Sequence, residues 1–572
     1  MMRFDLRRRT TRRVGALLIW CVVSLAAARA QHAVTIAGLG TATFPTSTHS
    51  PEAQQDFMRG LLLLHLFEYD DAAKAFVDAE QADPSFAMAY WGEAMTFNHP
   101  VWNELDAARG RAALDKFAPT PEARAARIED PRERAWMSAV EILYAGDGAK
   151  AQRDARYADA MEKLSESYPK DDEARLFYAL ALLGRSEGVR DLPAYLKAAA
   201  LARAVYARNP NHPGAAHYWI HGMDDPQHAA GALVAARALS AIAPDAPHAQ
   251  HMCSHIFLAL GMWAEVVHAN VLATEGTNRV AAARGRPPVR CGHYNYWLEY
   301  GLIEQGRIAE AEQVLAGCHE GAQAEHLNAA RRNAIDADDT RTGSFVVMQG
   351  TYLLDVAPPL NSVPALLNIN LDGAVLSELR RAYSRGIADA SAGDVTAAQS
   401  ELANLEQLLP RMPSLFELNQ VPEADPDRTV PEIEHLQLQA ALAGAKGNLS
   451  DAVALLEKAV ALGKNLSYAF GPPDPLQPTG ELLGEMLLRA HKPADAIAAF
   501  TTQLEQTPNR TQTLLGLARA QSQAGNADSA AQTARKLLAI WDKADATYEP
   551  RREAQELAYP GTHRGAHREQ AP

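Results

Sequence analysis

Apolar residues recur along most of the chain at the spacing of amphipathic helices, and short polar turns separate the helical stretches. One stretch follows Phe67, places Phe76 and Ala79 on one face and stops at Pro84. Apolar side chains three or four residues apart are typical of a helix with one buried face, and proline ends a helix because it lacks an N–H donor. Strand-like alternation is scarce. The pattern therefore predicts an all-α protein built from short antiparallel helix pairs.

The helix pairs return with a period of 34 residues. Ala496 and Ala530 hold equivalent positions near one end of the chain, and Pro210 and Pro244 do so in its middle. A helix-turn-helix unit of this length is typical of tetratricopeptide repeats, which stack into a solenoid because one unit cannot bury its apolar face alone. We expect about eight irregularly spaced pairs. Further units follow glycines at predicted tight turns, namely Gly306, Gly393 and Gly447.

Long interruptions divide this solenoid. Residues 50–320 are predicted to form an N-terminal tetratricopeptide-repeat array, and residues 373–545 a C-terminal array. Residues 321–372 show no clear helical period and are predicted to be an irregular insertion between the arrays. Residues 546–572 are polar and also lack an apolar period, so we expect a disordered tail there.

A proline-rich segment, residues 465–480, interrupts the C-terminal array. Its prolines restrict the backbone, and Tyr468 and Phe470 supply apolar anchors, so ordering this segment costs less entropy than ordering a Gly/Ser-rich one. We expect it to pack as an ordered lid or cap.

The first 30 residues have the order of a secretory signal peptide. A basic run at residues 7–13 precedes an apolar run at residues 14–27, and Ala28-Arg29-Ala30 forms an A-x-A cleavage site. The apolar run is too short to span a membrane, so no transmembrane anchor is expected after cleavage before Gln31. The segment predicts a periplasmic or secreted protein and leaves the export route open.

The composition excludes several classes of function. The chain has 55 Lys and Arg against 69 Asp and Glu, for a net charge of −14, so no nucleic-acid partner is expected. Its 4 cysteines are too few for a disulfide framework in a chain of 572 residues, and the lack of a CxxCH site excludes a c-type haem. We interpret Cys253 as a buried small apolar residue.

Six segments carry the most distinctive residues of the chain: AMAYWGEAMTFNHPVW (87–102), HYWIHGMDD (217–225), HAQHMCSHIF (248–257), HYNYWLEYGLIEQG (293–306), GPPDP (471–475) and ELLGEMLLRA (481–490). On these segments the chain resembles a broad group of exported bacterial tetratricopeptide-repeat proteins and, more distantly, the tetratricopeptide repeat protein 38 family. The resemblance covers most of residues 50–545. It implies a repeat architecture and a peptide or protein partner in the concave groove, but no particular reaction.

Histidines provide the clearest chemical signal. His217 and His221 are four residues apart, as are His251 and His255, so each pair lies on one side of its helix. The pairs are separated by 34 residues and occupy equivalent places in neighbouring repeats. We therefore expect the four histidines to face one gap and bind one metal ion, with Asp224 and His248 either as a fifth ligand or as side chains that support the ligands. Such ligands suit zinc, copper or iron.

Further aromatic and histidine side chains are predicted to line the concave groove around this cluster. Two alternatives to metal binding follow from this location. The histidines could contact a bound peptide or form a structural polar network, and the sequence leaves both alternatives open. The predicted groove residues are His65, His99, His248, His293, Tyr296 and Tyr300.

The chain carries no motif of a common enzyme class, since HExxH, GxSxG and Walker A patterns are all missing from the sequence. The leading hypothesis is an exported binding or scaffold protein whose histidine-rich groove binds a ligand or metal ion. The alternative is a metal-dependent enzyme that uses the same four histidines and activates water at an open coordination position.

Overall fold

The computed structural model describes residues 33–560 except residues 147, 187–188, 336–339, 424, 465, 467 and 469. Within these residues nearly all regular structure is helical, and consecutive helices pack as hairpins that stack side by side. The fold is the predicted tetratricopeptide-repeat solenoid. The predicted signal peptide, residues 1–30, lies outside the described residues.

The first half of the solenoid runs to the end of α15. Its helices are α1 (Pro51–His65), α2 (Tyr69–Ala82), α3 (Ala87–Met95), α4 (Ala107–Phe117), α5 (Pro121–Arg127), α6 (Pro131–Tyr144), α7 (Lys150–Ser167), α8 (Asp172–Gly184), α9 (Leu192–Tyr206), α10 (Pro213–Gly222), α11 (Leu233–Ile242), α12 (Pro247–Ala259), α13 (Trp263–Ala283), α14 (His293–Glu304) and α15 (Ile308–Gln323).

The second half continues to the end of the described chain. Its helices are α16 (Ala329–Arg332), α17 (Arg341–Asp355), α18 (Val363–Leu366), α19 (Val375–Ser391), α20 (Val395–Leu408), α21 (Met412–Leu418), α22 (Val430–Ala445), α23 (Leu449–Gly463), α24 (Thr479–Arg489), α25 (Pro493–Gln506), α26 (Thr511–Gln523), α27 (Ala527–Ile540) and α28 (Glu549–Ala558).

Two short antiparallel ribbons accompany the helices. β1 (Val34–Ile36) pairs with β2 (Gly40–Ala42), and β3 (Asn98–His99) pairs with β4 (Glu104–Leu105). The first ribbon is hydrogen-bonded to the segment before α10: the N–H of Thr41 donates to the carbonyl of Asn211 at 2.9 Å.

A residue in the left-handed conformation reverses the chain inside most hairpins. Phe67, with φ of 57°, takes this position before α2, and His491, with φ of 56°, takes it before α25. A β carbon is strained there by roughly 1 kcal/mol or more, so glycine is the usual occupant. Glycine holds the equivalent position before α13, α15, α20, α23 and α27, at Gly261, Gly306, Gly393, Gly447 and Gly525.

The two halves of the solenoid pack against each other. The Asn509 side-chain amide donates to the carbonyls of Leu260 and Gly261, at 3.2 Å each, and the indole N–H of Trp263 donates to the carbonyl of Asn509 at 2.9 Å. One buried apolar core runs through both halves. The predicted N- and C-terminal arrays are therefore in direct contact.

Two predicted irregular regions contain packed helices, so those predictions are wrong for these residues. The insertion at 321–372 includes α17, which buries Met348 and neighbours on all sides, and so shows no amphipathic period. The predicted tail at 546–572 includes α28, whose buried side chains are only Ala554 and Ala558. Alanines among charged residues give a weak apolar signal, although they suffice for close helix packing.

The cysteines show one feature that the sequence analysis did not predict. Cys291 and Cys318 form a disulfide that links the start of α14 to α15. Cys253 is free and 1% exposed, as expected for a buried apolar residue. Among the described helices, none combines the length and the apolar character needed to cross a bilayer.

Candidate metal centre

Three successive repeat helices, α10, α12 and α14, bring six histidines into one region. Pro213 and Pro247 occupy the first turns of α10 and α12, where proline is compatible with a helix and fixes its start. The four-residue spacing then turns both histidines of each helix to one side: those of α10 face the turn between α1 and α2, and those of α12 face α14. The ring of Phe67, in that turn, lies 4.4 Å from the ring of His217.

The first histidine set consists of His217, His221 and His248, and each can offer one ligand nitrogen within 4.8 Å of the other two. The Nε2 atoms of His217 and His221 lie 3.0 Å apart. The Nε2 atom of His248 is buried and has no hydrogen-bond partner in the described part of the chain. A buried nitrogen without a partner is costly unless something else binds it.

The second histidine set consists of His251, His255 and His293, with the same mutual spacing. The Nε2 atom of His251 lies 3.1 Å from that of His255 and 2.9 Å from that of His293. Ligands held about 2.1 Å from one tetrahedral ion are roughly 3.4 Å apart. The second set is therefore close to the spacing of three imidazoles that share an ion.

The opposite ring nitrogens are committed to hydrogen-bond acceptors. His217 Nδ1 donates to the carbonyl of His65 at 2.7 Å, and His255 Nδ1 donates to the carboxylate of Asp224 at 2.6 Å. His251 Nδ1 donates to Oδ1 of Asn270 at 2.7 Å; the amide of Asn270 is itself oriented, since its nitrogen donates to a backbone carbonyl. When Nδ1 carries the proton, the Nε2 atom of a neutral ring presents a bare lone pair.

Burial keeps these rings neutral. It lowers the pKa of His217 to about 3 and lowers the pKa values of His221, His248 and His251 well below their ordinary value. In the second set the bare Nε2 lone pairs of His251 and His255 face each other at 3.1 Å, and they repel unless a cation lies between them. A proton can join only two nitrogens, whereas three converge in each set. The geometry and electrostatics therefore suit a metal ion bound by neutral imidazoles.

A third cluster, made of His65, Glu173 and His212, differs in this respect. His65 Nε2 and His212 Nε2 donate to separate oxygens of the Glu173 carboxylate, at 2.6 Å and 2.8 Å. The hydroxyl of Tyr218 lies 2.9 Å from the other nitrogen of His65. Because these polar atoms are already paired, we interpret this cluster as a structural network.

The predicted proline-rich lid packs beside the histidine sets over its described residues. The rings of Phe470 and Tyr195 stack with centroids 6.1 Å apart. Gly471 has φ of 124°, and a β carbon there would lie 2.9 Å from the Trp297 ring, so only glycine allows this close approach. Trp297 in turn lies 4.5 Å from the ring of His255. The segment thus covers the side of α14 next to the second set.

The predicted single site of four histidines and Asp224 needs correction. His217 with His221 belongs to one set and His251 with His255 to the other, because each pair closes within its own helix. Asp224 accepts a hydrogen bond from the back of a ring, which is the position of a residue that orients a ligand.

The structure places the six predicted groove residues in different surroundings. His248 and His293 each complete a histidine set, and Tyr296 is buried at 7% exposure one turn after His293. The prediction is wrong for His65, which is fully buried in the Glu173 network, and for Tyr300, whose hydroxyl accepts from the buried Arg510 at 3.1 Å. Their helices are covered on that face by other repeats, so neither side chain reaches a groove.

His99 lies at a cavity of about 600 Å³ outside the histidine sets. Its ring stacks on Tyr69 with centroids 3.9 Å apart, and its Nδ1 lies 2.9 Å from Glu104. Trp102, which is 44% exposed, lies between this cavity and the first set. Its ring centroid is 6.3 Å from that of Tyr69 and 5.7 Å from that of His248.

Sequence reasoning missed that His248 and His293 complete the two sets. Both lie at the very start of their helices, but they are 45 residues apart because an irregular segment precedes α14. The available signal was the shared position at a helix start. Asn270 was also missed, since an asparagine in the second helix of a repeat has no distinctive spacing.

One comparison with known proteins, a family match near the end of the chain, supports the repeat fold. Residues 487–546 match a tetratricopeptide repeat family, which places family repeats from α24 to α27. Three solved structures are similar to this chain. The APC/C hetero-tetramer Cut9-Hcn1 is 14% identical over 88% of this chain and 75% of its own, with a TM-score of 0.33, and the P58(IPK) TPR domain is 13% identical over 83% and 98%, with a TM-score of 0.21. Yeast Tom70 is 12% identical over 88% of this chain and 94% of its own, with a TM-score of 0.26. No curated protein sequence matches the chain.

Proposed function

We propose that this protein is an exported tetratricopeptide-repeat scaffold that binds two transition-metal ions, one in each histidine set. The observation that carries the proposal is the commitment of Nδ1 to acceptors in both sets, which leaves Nε2 lone pairs converging at about 3 Å. Packing alone asks for apolar side chains at such buried positions. Neutral, pre-oriented imidazoles are what zinc, copper or iron requires.

Burial favours this function over peptide contact by the histidines. His217 and His251 have no exposed surface, and His221 and His255 have 6% and 8%. A peptide in the groove would have to displace packed helices to reach them. The solenoid supports a protein partner on its remaining surfaces, as repeats of this class commonly do.

The metal-dependent enzyme remains the second candidate. Three protein ligands leave one position of a tetrahedral ion for water or another exogenous ligand, which is the arrangement of catalytic rather than structural sites.

Metal analysis of the full-length protein tests the proposal. We expect two ions per chain in the wild type, about one in His221→Ala or His255→Ala, and two in the control His435→Ala, whose imidazole lies on α22 and pairs with Glu406. Adding metal to the stripped wild type should raise its thermal midpoint, because an ion at 100 times its Kd stabilises the fold by about 2.7 kcal/mol. The proposal would be refuted if the wild type contained no metal and if neither zinc, copper nor iron changed its thermal midpoint.

A further inference from the structure

The two histidine sets are direct neighbours. The rings of His221 and His255 have centroids 6.2 Å apart, and the same distance separates His248 from His251. Within a set the corresponding distances are 4.7 Å for His217 and His221 and 4.5 Å for His251 and His293. Because the sets approach each other at two places, two bound ions would share one pocket.

Resting on the proposed metal binding, we propose that the two ions are copper, bound as Cu(I), and that they become a magnetically coupled pair when both are oxidised to Cu(II). The donor atoms are the first argument. Each set offers only imidazole nitrogens, without a carboxylate or thiolate ligand. Hard ions such as magnesium or manganese prefer oxygen ligands, non-haem iron sites typically add a carboxylate, and nitrogen sites bind copper most tightly among the divalent ions.

The charges around the pocket are the second argument. Asp224 accepts from His255, and Glu68 accepts from the backbone N–H of His248 at 3.0 Å. Arg190, a cationic side chain close enough to act on His221, is already paired with Asp225. These two carboxylates supply at most two negative charges, which is enough for two monovalent ions, whereas two divalent ions would leave at least two buried charges uncompensated. Since the cost of a buried charge rises with its square, the pocket favours a pair of Cu(I) ions over a pair of Zn(II) ions.

The walls of the pocket strengthen this preference. The Phe67 ring lies 4.4 Å from His217, and the Trp297 ring lies 4.5 Å from His255 and 4.7 Å from His251. Phe67 reaches this position from a left-handed turn that usually requires glycine, so its ring contacts offset a backbone cost. An apolar wall lowers the local dielectric and penalises higher charge.

The test uses full-length, metal-free protein loaded anaerobically with Cu(I) alone, with Zn(II) alone, or with both. We expect two copper ions per chain and displacement of zinc by an equimolar amount of Cu(I). After each Cu(I) has given one electron to added ferricyanide and become Cu(II), the integrated electron paramagnetic resonance signal should be well below the copper content, because neighbouring spins couple.

Two variants separate the possible results. His293→Asn removes a ligand from the second set only, so we expect one copper per chain and a signal equal to the copper content. His435→Asn, outside both sets, should behave as the wild type, and circular dichroism checks that each variant is folded. Two zinc ions that Cu(I) does not displace would overturn the copper assignment and leave the proposed function standing. Two copper ions with full signal would overturn the pairing, and absence of any bound metal would overturn the proposed function itself.

Discussion

Each imidazole of the candidate centre is defined by what its second nitrogen does. His217, His251 and His255 donate from Nδ1 to a carbonyl, an amide oxygen and a carboxylate respectively. These acceptors fix the tautomer and the ring plane, so the ligand nitrogens are oriented before an ion arrives. In the Glu173 network, by contrast, the Nε2 atoms donate their protons to the carboxylate. The same residue type is a candidate ligand in one place and a structural donor in the other.

We predict that Asp224→Asn weakens metal binding without unfolding the protein. The amide oxygen still accepts from His255, but the charge that makes the ring a better ligand is lost, so affinity should fall about 10- to 100-fold. A metal-competition titration measures the change. Asp528→Asn, at an exposed position in the first turn of α27, is the matched control and should bind as the wild type. Unchanged affinity in Asp224→Asn would show that Asp224 does not orient a ligand.

Glu434, far from the histidine sets, should make stability depend on pH. Its carboxylate is buried without a hydrogen bond in the described structure, and burial raises its pKa to about 8. The folded chain then binds this proton more tightly than the unfolded chain. Stability should therefore fall as pH rises from about 4.5 toward 8, by at most about 1.4 kcal/mol per pH unit.

Glu434→Gln should remove this contribution, because glutamine resembles the protonated acid at every pH. We expect a flatter profile of thermal midpoint against pH and a higher midpoint at pH 8 than in the wild type. Glu432→Gln, an exposed position on the same helix, should leave the profile unchanged. Identical profiles for Glu434→Gln and the wild type would contradict the prediction.

At the scale of elements, the hairpin turns determine how neighbouring helices meet. Gly306 and Gly447 hold the same left-handed position before α15 and α23, with φ of 68° and 84°. Their surroundings differ. A β carbon at Gly306 would lie 2.7 Å from the Tyr548 ring and 2.8 Å from Ala544, whereas one at Gly447 would meet nothing within 4 Å. Only the first turn is covered by another part of the solenoid.

Gly306→Ala should therefore destabilise the protein more than Gly447→Ala. Both substitutions cost about 1 kcal/mol for the backbone conformation, and only Gly306→Ala adds roughly 1–3 kcal/mol of overpacking. Thermal midpoints of the two variants measured side by side isolate the second effect. Equal midpoints would show that α28 and the preceding loop do not pack on this turn.

At the scale of the whole molecule, Arg510 joins the end of the solenoid to its middle. Its fully buried guanidinium contacts Glu304 of α14 at 3.1 Å, Asp355 of α17 at 3.1 Å and Glu481 of α24 at 2.9 Å. One cation thus compensates three carboxylates from different helices. Because α14 also carries His293, this ion cluster supports the helix that completes the second histidine set.

Arg510→Ala should destabilise the protein strongly, by about 3–5 kcal/mol, because it leaves buried carboxylates without a counter-charge. Arg519→Ala, which breaks an exposed pair with Glu553, should cost less than about 1 kcal/mol. Chemical unfolding midpoints compare the two arginines. A mild effect in Arg510→Ala would mean that the carboxylates accept protons or water at little cost.

Export is the remaining prediction at this scale. The residues before Gln31 have the order of a signal peptide, and the disulfide between Cys291 and Cys318 is of a kind that persists in oxidising compartments. Intact-mass analysis of protein from its native compartment should give a chain that begins at Gln31 and is two hydrogens lighter than the reduced form. A reduced chain that retains residues 1–30 would contradict export.

The sequence by itself determined the repeat fold and part of the candidate site. The period of 34 residues and the apolar stripes are local properties, because helix pairs contact chiefly their neighbours in a solenoid. The same period located His217, His221, His251 and His255. Tertiary structure decided how they divide, since His248 and His293 enter from helix starts whose register depends on an irregular segment. It also decided which nitrogen of His217, His251 and His255 donates a hydrogen bond, because the acceptors come from other parts of the chain.

The packed helices within the predicted insertion and tail, and the contact between the two arrays, were likewise decided by tertiary structure. Met348 in α17 and Arg510 before α26 are stabilised by contacts far along the chain, and such contacts leave no periodic trace in a single sequence. Local periodicity specifies the elements that a repeat protein builds, whereas long-range packing selects which polar side chains become buried together.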